Sequence, residues 1–253
     1  MNIRLHLGRF NCEMSTDDPA LLAFLAQKYS HCQTHEAPDF LISLKPAQNK
    51  VRYHVKRLSR NAYILYISDI SNTFLQFNFF IKTIYATYLM EHGSFILHSS
   101  TIVRDGKAVL FAGKENHGKS TIVKLLPEYR VLNDDFAIIG KKSDNQYFVH
   151  TSPFYEKNSF LKIYQEVLIG KILFLEKSKI VSVKNIRRSE SVIRLASLML
   201  SPLSFIPKYW EGMPPTYSRR LSKHMFTLIE DFSKHVSCQI LQFPKNRSFL
   251  PYI

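Results

Sequence analysis

Residues 107–121, KAVLFAGKENHGKST, join an apolar run, a glycine-containing loop and the start of a helical pattern. From Gly113 to Ser120 the loop has the spacing G-x-x-x-x-G-K-S, which is the Walker A pattern. This spacing wraps the chain around an anionic phosphate, with backbone N–H groups pointing inward and a helix N-terminus adding its positive dipole. The sequence therefore predicts a phosphate-binding loop, and the alternative is an ordinary strand-to-helix turn.

Single residues of the loop support the phosphate-binding interpretation. We expect Lys119 to reach the β- and γ-phosphates and Ser120 to place its hydroxyl on Mg²⁺. Asn116 stands where many such loops have a third glycine, and asparagine is the non-glycine residue that most readily adopts left-handed backbone conformations. Lys114 and His117 add positive or polarisable character to a loop that would hold a polyphosphate.

An acidic pair, Asp134 and Asp135, lies downstream between two short apolar strand patterns. Phosphoryl transfer needs a carboxylate that holds the metal, and often a second that orients or deprotonates the attacking hydroxyl. Neighbouring residues on a strand point to opposite faces, so the pair can share a site only if the backbone turns there. The alternative interpretation is a turn formed by Asn-Asp-Asp.

A strand pattern at Phe95–Val103 precedes the loop and ends in a tight hairpin with Asp105 and Gly106 at its tip. The hairpin leads directly into the strand before the loop. His98 is therefore expected beside the phosphate site. The alternative is a structural histidine, since a histidine in an apolar strand is more often a hydrogen-bonded structural residue.

In chain order the motifs are LHSS, the hairpin, GKAVLFAG-x4-GKST and VLNDDFAII. Together they resemble the kinase core of the HPr kinase/phosphorylase and phosphoenolpyruvate carboxykinase superfamily. Residues 151–154 (TSPF) and 170–177 (GKILFLEK) are similar to a turn and a strand of its smaller bacterial members. The resemblance covers about residues 93–243. It implies an α/β (α+β) fold with a mixed-sheet P-loop kinase core, ATP or GTP with Mg²⁺, and a hydroxyl acceptor on a peptide, protein or small metabolite.

The same resemblance implies a role for individual residues. Asp134 corresponds to the base or proton acceptor, and Asp135 corresponds to the metal ligand that acts with Ser120. His98 corresponds to a histidine near the transferred phosphate, so the implied catalytic residues are Asp134, Lys119 and His98. The residues implied to bind nucleotide phosphates and metal are Gly113, Gly118, Lys119, Ser120 and Thr121.

The chain departs from the family pattern at two places. Glu115-Asn116 replaces the usual small Ser-Gly of the loop, and Tyr155-Glu156 follows the Thr-Ser-Pro-Phe turn where a glycine is common. Glu115 places a negative charge close to the expected anion. Two functions remain open: an ATP-dependent phosphotransferase, favoured by the retained lysine and aspartates, and a catalytically weak or inactive nucleotide-binding protein that docks a partner, favoured by the departures.

The composition of the chain is that of a globular protein. Its 253 residues are 45% hydrophobic, which is enough to bury a sizeable core. Met1–Phe10 lacks the apolar core of a signal peptide, and no run is long enough to span a bilayer. Cys12, Cys32 and Cys238 have no Cys-x-x-Cys spacing, so we expect reduced thiols and a cytoplasmic location.

The formal net charge of +14 would attract polyanions. The basic residues are spread along the chain and form no recognised nucleic-acid module, so we expect no nucleic-acid binding. Arg187, Arg188 and Arg194 could supply a cation that neutralises the transferred phosphoryl group, or they could form an exposed helix face. Related kinases often assemble, so the resemblance also allows a homo-oligomer.

The element pattern suggests an N-terminal α+β module at 1–92, which could dock a substrate or partner, and a kinase domain at 93–253. In the module the predicted strands are Ile3–Leu7, Phe40–Lys45, Val51–Arg57 and Tyr63–Ser68, and the predicted helices are Asp18–Tyr29 and Phe74–Met90. Beyond the loop the pattern predicts a meander: strands at Phe136–Gly140 and Gln146–Thr151 flank a polar turn at 141–145, and Leu173–Glu176 pairs with Ile180–Lys184. The predicted helices there are Ser189–Leu200 and Tyr217–Val236. A predicted strand at Cys238–Gln242 is followed by an irregular tail.

Overall fold

The structure is a computed structural model that describes residues 1–47, 53–67, 74–142, 145–154, 165–201, 206–214 and 216–253. Their contacts form two compact units: unit 1 is Met1–His92 with Ser201–Lys223, and unit 2 is Gly93–Leu200 with His224–Ile253. The predicted kinase domain at 93–253 therefore differs from unit 2, because Ser201–Lys223 supplies a short strand to the sheet of unit 1. No helix in the described ranges has the length and apolar character needed to cross a bilayer.

Unit 1 is built on a mixed six-stranded sheet. Its strands are β1 (Asn2–His6), β2 (Asn11–Thr16), β3 (Phe40–Pro46), β4 (Tyr53–Ser59), β5 (Ala62–Ile67) and β13 (Trp210–Glu211). Their order across the sheet is β1-β2-β3-β5-β4-β13. Along β3 every second side chain, Phe40, Ile42 and Leu44, is buried. This alternation gives the sheet one face that packs into the core.

The helices of unit 1 are α1 (Pro19–Lys28), α2 (Phe74–Glu91), α5 (Ile206–Tyr209) and the first residues of α6 (Tyr217–His235). The carboxylate of Asp18 caps α1 by accepting hydrogen bonds from the N–H groups of Ala20 and Leu21, at 2.9 and 3.2 Å. Ser15 and Thr16, which precede this cap, belong to β2. The α2 helix is buried on several faces.

Some predicted features fall outside the described residues. They are the first two residues of the strand predicted at Val51–Arg57, the last residue of the strand predicted at Tyr63–Ser68, and the departure at Tyr155-Glu156.

Unit 2 contains an eight-stranded mixed sheet. Its strands are β6 (Ser94–Arg104), β7 (Lys107–Ala112), β8 (Arg130–Asn133), β9 (Phe136–Lys141), β10 (Tyr147–His150), β11 (Glu166–Lys177), β12 (Ser182–Asn185) and β14 (Ser237–Phe243). The order is β10-β9-β6-β7-β11-β14-β12, with β8 also paired to β6. Because β10 pairs with the start of β11 as well, the pairings β6-β9-β10-β11-β7 form a closed circuit. Mixed sheets with helices confirm the expected α+β class.

Three neighbouring strands of this sheet, β7, β11 and β14, run parallel to one another. Their core includes Phe111, Leu173 and Leu241, which are almost fully buried. Parallel neighbours place their carboxyl ends at one edge of the sheet, which is where α/β proteins usually bind ligands. Ala112, Lys177 and Phe243, the last residues of the three strands, therefore mark the edge that positions the candidate site.

The predicted meander is confirmed for its first pair, since β9 and β10 run antiparallel to each other, but it is wrong for its second pair. The β11 strand is much longer than the predicted Leu173–Glu176, and its neighbours β7 and β14 are both parallel to it. The predicted pairing of Leu173–Glu176 with Ile180–Lys184 does not occur, because β14 lies between β11 and β12. Apolar patterning indicates which faces of a strand are buried, but it does not identify the strand's partner.

The remaining helices of unit 2 are α3 (Lys119–Lys124), α4 (Arg188–Leu198) and the rest of α6. The tail that was predicted to be irregular forms a 3-10 helix at Arg247–Tyr252. Asn246 caps this helix by accepting a hydrogen bond from the N–H of Ser248, and Phe249 is fully buried. The apolar packing of Phe249 explains why this tail is ordered against the sheet.

Candidate functional site

The glycine loop, defined as residues 113–118, joins the end of β7 to the start of α3. Asn116 and Gly118 both have left-handed backbones, with φ of 66° and 97°. Asparagine thus adopts the conformation that the missing glycine would have supplied. A Cβ at Gly118 would lie 3.0 Å from the ring of Phe243, so close packing as well as backbone conformation requires glycine there.

Lys119 is the first residue of α3 and is only 7% exposed. Its ammonium donates hydrogen bonds to the carbonyl oxygens of Gly113 and Lys114, at 2.9 and 3.1 Å. Burial lowers the pKa of Lys119, and the carboxylates of Asp135 and Glu115 partly oppose that effect. The lysine is therefore bent back over the glycine loop, where an anion would compete with the two carbonyl groups for its protons.

The acidic pair lies in the turn between β8 and β9. Strand β6 fixes this turn: the hydroxyl of Ser100 donates to the carbonyl oxygen of Asp134 at 2.5 Å, and the N–H of Ser99 donates to that of Asp135 at 3.0 Å. Because the backbone turns here, the alternation of a strand does not apply, and both residues line the same cleft. The condition for a shared site is therefore met.

His98 lies on β6 beside the acidic turn. Its ring Nε2 is 2.5 Å from Oδ1 of Asp135, and its ring stacks on Phe136 with centroids 5.6 Å apart. The side chains of His98 and Asp135 are 28% and 30% exposed, so neither is removed from the cleft. His98 is thus both hydrogen-bonded, as in the structural interpretation, and placed where a ligand could reach it.

Asn133, which ends β8, supports the acidic turn from the buried side. Its Oδ1 accepts a hydrogen bond from the N–H of Ser152 at 2.7 Å, and its amide donates to the carbonyl oxygen of His150 at 3.2 Å. The hydroxyl of Ser152 in turn accepts from the N–H of Phe154. The Thr-Ser-Pro-Phe segment thereby anchors the residue next to Asp134. A polar residue ending an apolar strand was the available signal for this role.

The glycine loop, α3 and the acidic turn surround an open cleft of about 1000 Å³. It includes eight residues predicted from the sequence: His98, Asn116, Gly118, Lys119, Ser120, Thr121, Asp134 and Asp135. Glu115 and Phe136 also line it. The structure therefore brings together three segments that are separate in the sequence, from β6, from the glycine loop with α3, and from the turn after β8.

Three predicted nucleotide-binding residues do not line the cleft: Gly113, Lys114 and His117. The ring Nδ1 of His117 lies 3.1 Å from the carbonyl oxygen of Leu175, so the imidazole contacts the sheet. A Cβ at Gly113 would be 2.9 Å from the Cβ of His117, so that glycine allows the close approach of the histidine. Gly113 and His117 thus shape the loop from behind, and the side chain of Lys114 is exposed.

Residues that the sequence analysis did not single out line the other side of the cleft: Lys177, Ser178, Lys179, Phe243, Pro244 and Lys245. All of them lie at or just beyond the carboxyl ends of β11 and β14. The sequence could have placed these residues at the cleft only if the two strands had been known to run parallel to β7.

The arginine cluster does not contribute to the cleft. Arg194 pairs with Glu190 at 2.9 Å and with Glu176 at 3.0 Å, and Arg188 donates to the carbonyl oxygen of Glu230 at 3.3 Å. Arg188 and Arg194 thus lie on α4, as in the alternative interpretation, and Arg187 is the N-cap residue of that helix.

Comparisons with known proteins place the chain as follows. No curated protein matches it. Among solved structures it is similar to the Hpr(Ser) kinase/phosphatase from Coxiella burnetii, at 12% sequence identity and a TM-score of 0.30, over 62% of this chain and 88% of that one. This distant similarity carries no argument about activity. Residues 63–250 match the family described as "SynChlorMet cassette protein ScmC". Since that match spans well over half of its length, the chain belongs to the ScmC family.

Proposed function

We propose that unit 2 is a magnesium-dependent phosphotransferase of the HPr kinase type. It would move the γ-phosphoryl group of ATP or GTP to a hydroxyl group of a peptide, protein or small metabolite. The supporting observation is that one cleft collects Lys119 and the glycine loop together with Asp134, Asp135 and His98. A cleft of about 1000 Å³ lies at the upper end of the usual range for ligand pockets, which suits a donor and part of an acceptor.

The donor groups in the cleft fit a magnesium ion. Ser120 and Asp135 both line it and offer a hydroxyl and a carboxylate oxygen. Magnesium prefers oxygen ligands and is usually bound through one or two carboxylates together with phosphate oxygens. When bound, the ion would neutralise charge on the phosphates of the donor.

The residues of the chain have separable roles in this proposal. Backbone N–H groups of the glycine loop bind the phosphates, and the ammonium of Lys119 exchanges its carbonyl partners for phosphate oxygens. The acceptor hydroxyl attacks the γ-phosphorus while the bond to the leaving oxygen breaks, and Asp134 takes the hydroxyl proton. Asp135 holds the imidazole of His98 at 2.5 Å, and this contact would place the ring beside the transferred group.

Incubation with γ-labelled ATP and a lysate of the source organism tests the proposal. We expect label on protein or on a small molecule, and we expect Mg-ATP to raise the melting temperature of the chain. Lys119→Ala should abolish most of that thermal shift. An unchanged shift in this variant would mean that the nucleotide binds elsewhere or that the backbone alone supplies the affinity.

Two aspartate variants then separate metal binding from proton transfer. Asp135→Asn should weaken the magnesium-dependent part of nucleotide binding, because an amide is a poorer ligand than a carboxylate. Asp134→Asn should leave binding nearly intact and lower the transfer rate by about a hundredfold or more. The opposite pattern would exchange the two roles.

A second candidate function is nucleotide binding without transfer, with partner docking through unit 1. It is favoured by Glu115, which lines the cleft and interacts electrostatically with Lys119, so that part of the positive charge meant for an anion is already balanced. In that case Mg-ATP raises the melting temperature, no label is transferred, and Asp134→Asn changes nothing measurable.

A further inference from the structure

The two ends of the cleft carry opposite charge. The strand order places β6, β8 and β9 on one side of β7, and β11 and β14 on the other. Asp134 and Asp135 therefore lie at one end, the glycine loop lies in the middle, and the ends of β11 and β14 form the other end. At that second end the side chains include three lysines, Lys177, Lys179 and Lys245, which we call the lysine shelf.

The lysine shelf is held together by the pairing of two strands. Lys177 lies opposite Phe243 in the parallel register of β11 and β14, and the N–H of Ser178 donates to the carbonyl oxygen of Phe243 at 3.1 Å. The two segments that follow these strands therefore run side by side. The second is fixed further, because the N–H of Asn246 donates to the carbonyl oxygen of Pro244 at 2.8 Å. Phe243 also supports Gly118, so the shelf adjoins the glycine loop.

The charge of the lysine shelf is not balanced by neighbouring carboxylates. Within the described ranges, none of the three lysines forms an ion pair. Of the carboxylates nearby, Glu176 is engaged by Arg194 at 3.0 Å and by the amide of Gln242 at 3.0 Å, and Glu115, which also lines the cleft, interacts with Lys119. Several cations of one sign along a cleft wall raise the local concentration of anionic ligands. The shelf thus presents positive charge that an anion could bind.

We propose that the lysine shelf binds the nucleoside side of the phosphoryl donor, including its α-phosphate. This inference rests on the proposed function. The γ-phosphate must lie at the acidic end, because the proposed base and metal ligand are there, and the glycine loop holds the middle of the polyphosphate. The rest of the donor then extends in the opposite direction, onto the shelf.

The shelf also implies how the donor is selected. Among the described residues, its remaining lining groups are Ser178, Phe243 and Pro244, which offer no carboxamide or carboxylate to the edge of a base. Charge therefore dominates affinity at this end of the cleft. The ligand class is a nucleoside triphosphate recognised through its phosphates, with similar affinity for ATP and GTP.

Titration calorimetry with Mg-ATP, Mg-GTP and magnesium tripolyphosphate tests the proposal. Lys177→Gln combined with Lys179→Gln should weaken ATP and GTP by the same factor, about tenfold, and should reduce the dependence of affinity on salt. Lys245→Gln should act in the same direction with a smaller effect. Lys234→Gln removes the same charge from an exposed position outside the cleft and should change nothing.

Four results would overturn the inference. Unchanged ATP affinity in the shelf variants, with the Lys119→Ala variant still defective, would remove the shelf from the donor site and leave the proposed function intact. A shelf variant that changed only the KM for the acceptor would assign the shelf to the acceptor. A tenfold preference for ATP over GTP would show that the base is read. Failure of the parent chain to bind any of the three probes would overturn the proposed function as well.

Discussion

Each of the two units holds a group of charged side chains, and the group is buried and paired in unit 1 but lines a cleft in unit 2. In unit 1 the guanidinium of Arg57 forms a bidentate pair with Glu91, at 2.8 and 2.7 Å, and the hydroxyl of Tyr217 donates to the same carboxylate at 2.7 Å. Arg57 and Glu91 are only 11% and 13% exposed. Unit 2 also contains ion pairs, such as that of Arg194 with Glu176, but it lines an open cleft with further charges, and the lysine shelf forms no ion pair within the described ranges.

This difference is also visible in the pKa shifts. Burial alone would raise the pKa of Glu91, but hydrogen bonds from Arg57 and Tyr217 outweigh it and lower the pKa. For Lys119, burial is the larger effect and lowers the pKa, because nearby carboxylates compensate only in part. A buried charge whose partners are complete stabilises a fold, whereas a charge with incomplete compensation beside a cleft is available to a ligand.

The largest expected effect comes from breaking the complete cluster. Glu91→Ala leaves the buried guanidinium of Arg57 without its carboxylate and should lower the free energy of unfolding by about 3–5 kcal/mol. Urea denaturation followed by circular dichroism measures this loss. Glu211→Ala is the matched control, because Glu211 also pairs with basic residues, His54 and Lys56, but at an exposed position, and its loss should be small.

The pH dependence of the stability lost in Glu91→Ala tests whether the loss is electrostatic. Because the pKa of Glu91 is lowered in the folded state, its contribution is present above the unfolded pKa and is lost as pH falls through the folded pKa. The stability gap between the parent chain and the Glu91→Ala variant should therefore narrow in acid. A gap that stayed constant would assign the effect to packing rather than to charge.

A smaller effect should come from the glycine loop. Gly118→Ala and Gly106→Ala both place a side chain at positive φ, 97° and 74°, which costs about 1–2 kcal/mol in stability. Only the first also crowds the ring of Phe243, whereas nothing lies within 4 Å of a Cβ at Gly106. We therefore expect a larger drop in melting temperature, and a loss of Mg-ATP affinity, for Gly118→Ala alone. Equal effects on nucleotide affinity would argue against a loop-bound donor.

The lowered pKa of Lys119 predicts that nucleotide affinity depends on pH. The ammonium form binds phosphate and the neutral amine does not, so affinity for Mg-ATP should fall as pH rises through that pKa. Calorimetry between neutral and alkaline pH measures the decline. Lys119→Arg is the informative variant, because a guanidinium stays protonated across this range and should remove the dependence. A flat profile in the parent chain would contradict the prediction.

The smallest effect is expected at Arg194, which makes partly exposed ion pairs outside the cleft. Arg194→Gln should lower the free energy of unfolding by less than about 1 kcal/mol and leave phosphoryl transfer unchanged. A large loss of transfer with an unchanged melting temperature would instead identify Arg194 as the cation that neutralises the transferred group.

The features that the sequence predicted well are local ones. Asn116 at a position that needs a left-handed backbone, Asp18 at the start of α1, and the Asp105-Gly106 hairpin each follow from the chemistry of one or two residues. The mixed α+β class and most strand positions also follow from local apolar patterns. These patterns identify elements because burial of one face is decided residue by residue.

The features that could not be predicted depend on which strands become neighbours. Nothing in the residues of β14 shows that it inserts between β11 and β12, so Lys245 could not be placed at the cleft beside Lys177. The two-residue strand β13 carries too little pattern to be recognised, although it decides to which unit Ser201–Lys223 belongs. Strand partners are selected by long-range packing, which a single sequence does not display.

Unit 1 is built from two separate segments of the chain, and this affects how the chain folds during its synthesis. Domains usually fold from the N-terminus onward as they leave the ribosome. Here the edge strand β13 and the hydroxyl of Tyr217, which completes the cluster of Arg57 and Glu91, are translated only after most of unit 2. The first ninety or so residues therefore cannot complete unit 1 until a much later part of the chain emerges. Until then β4 is an open sheet edge, and the ion pair of Arg57 and Glu91 lacks its third partner.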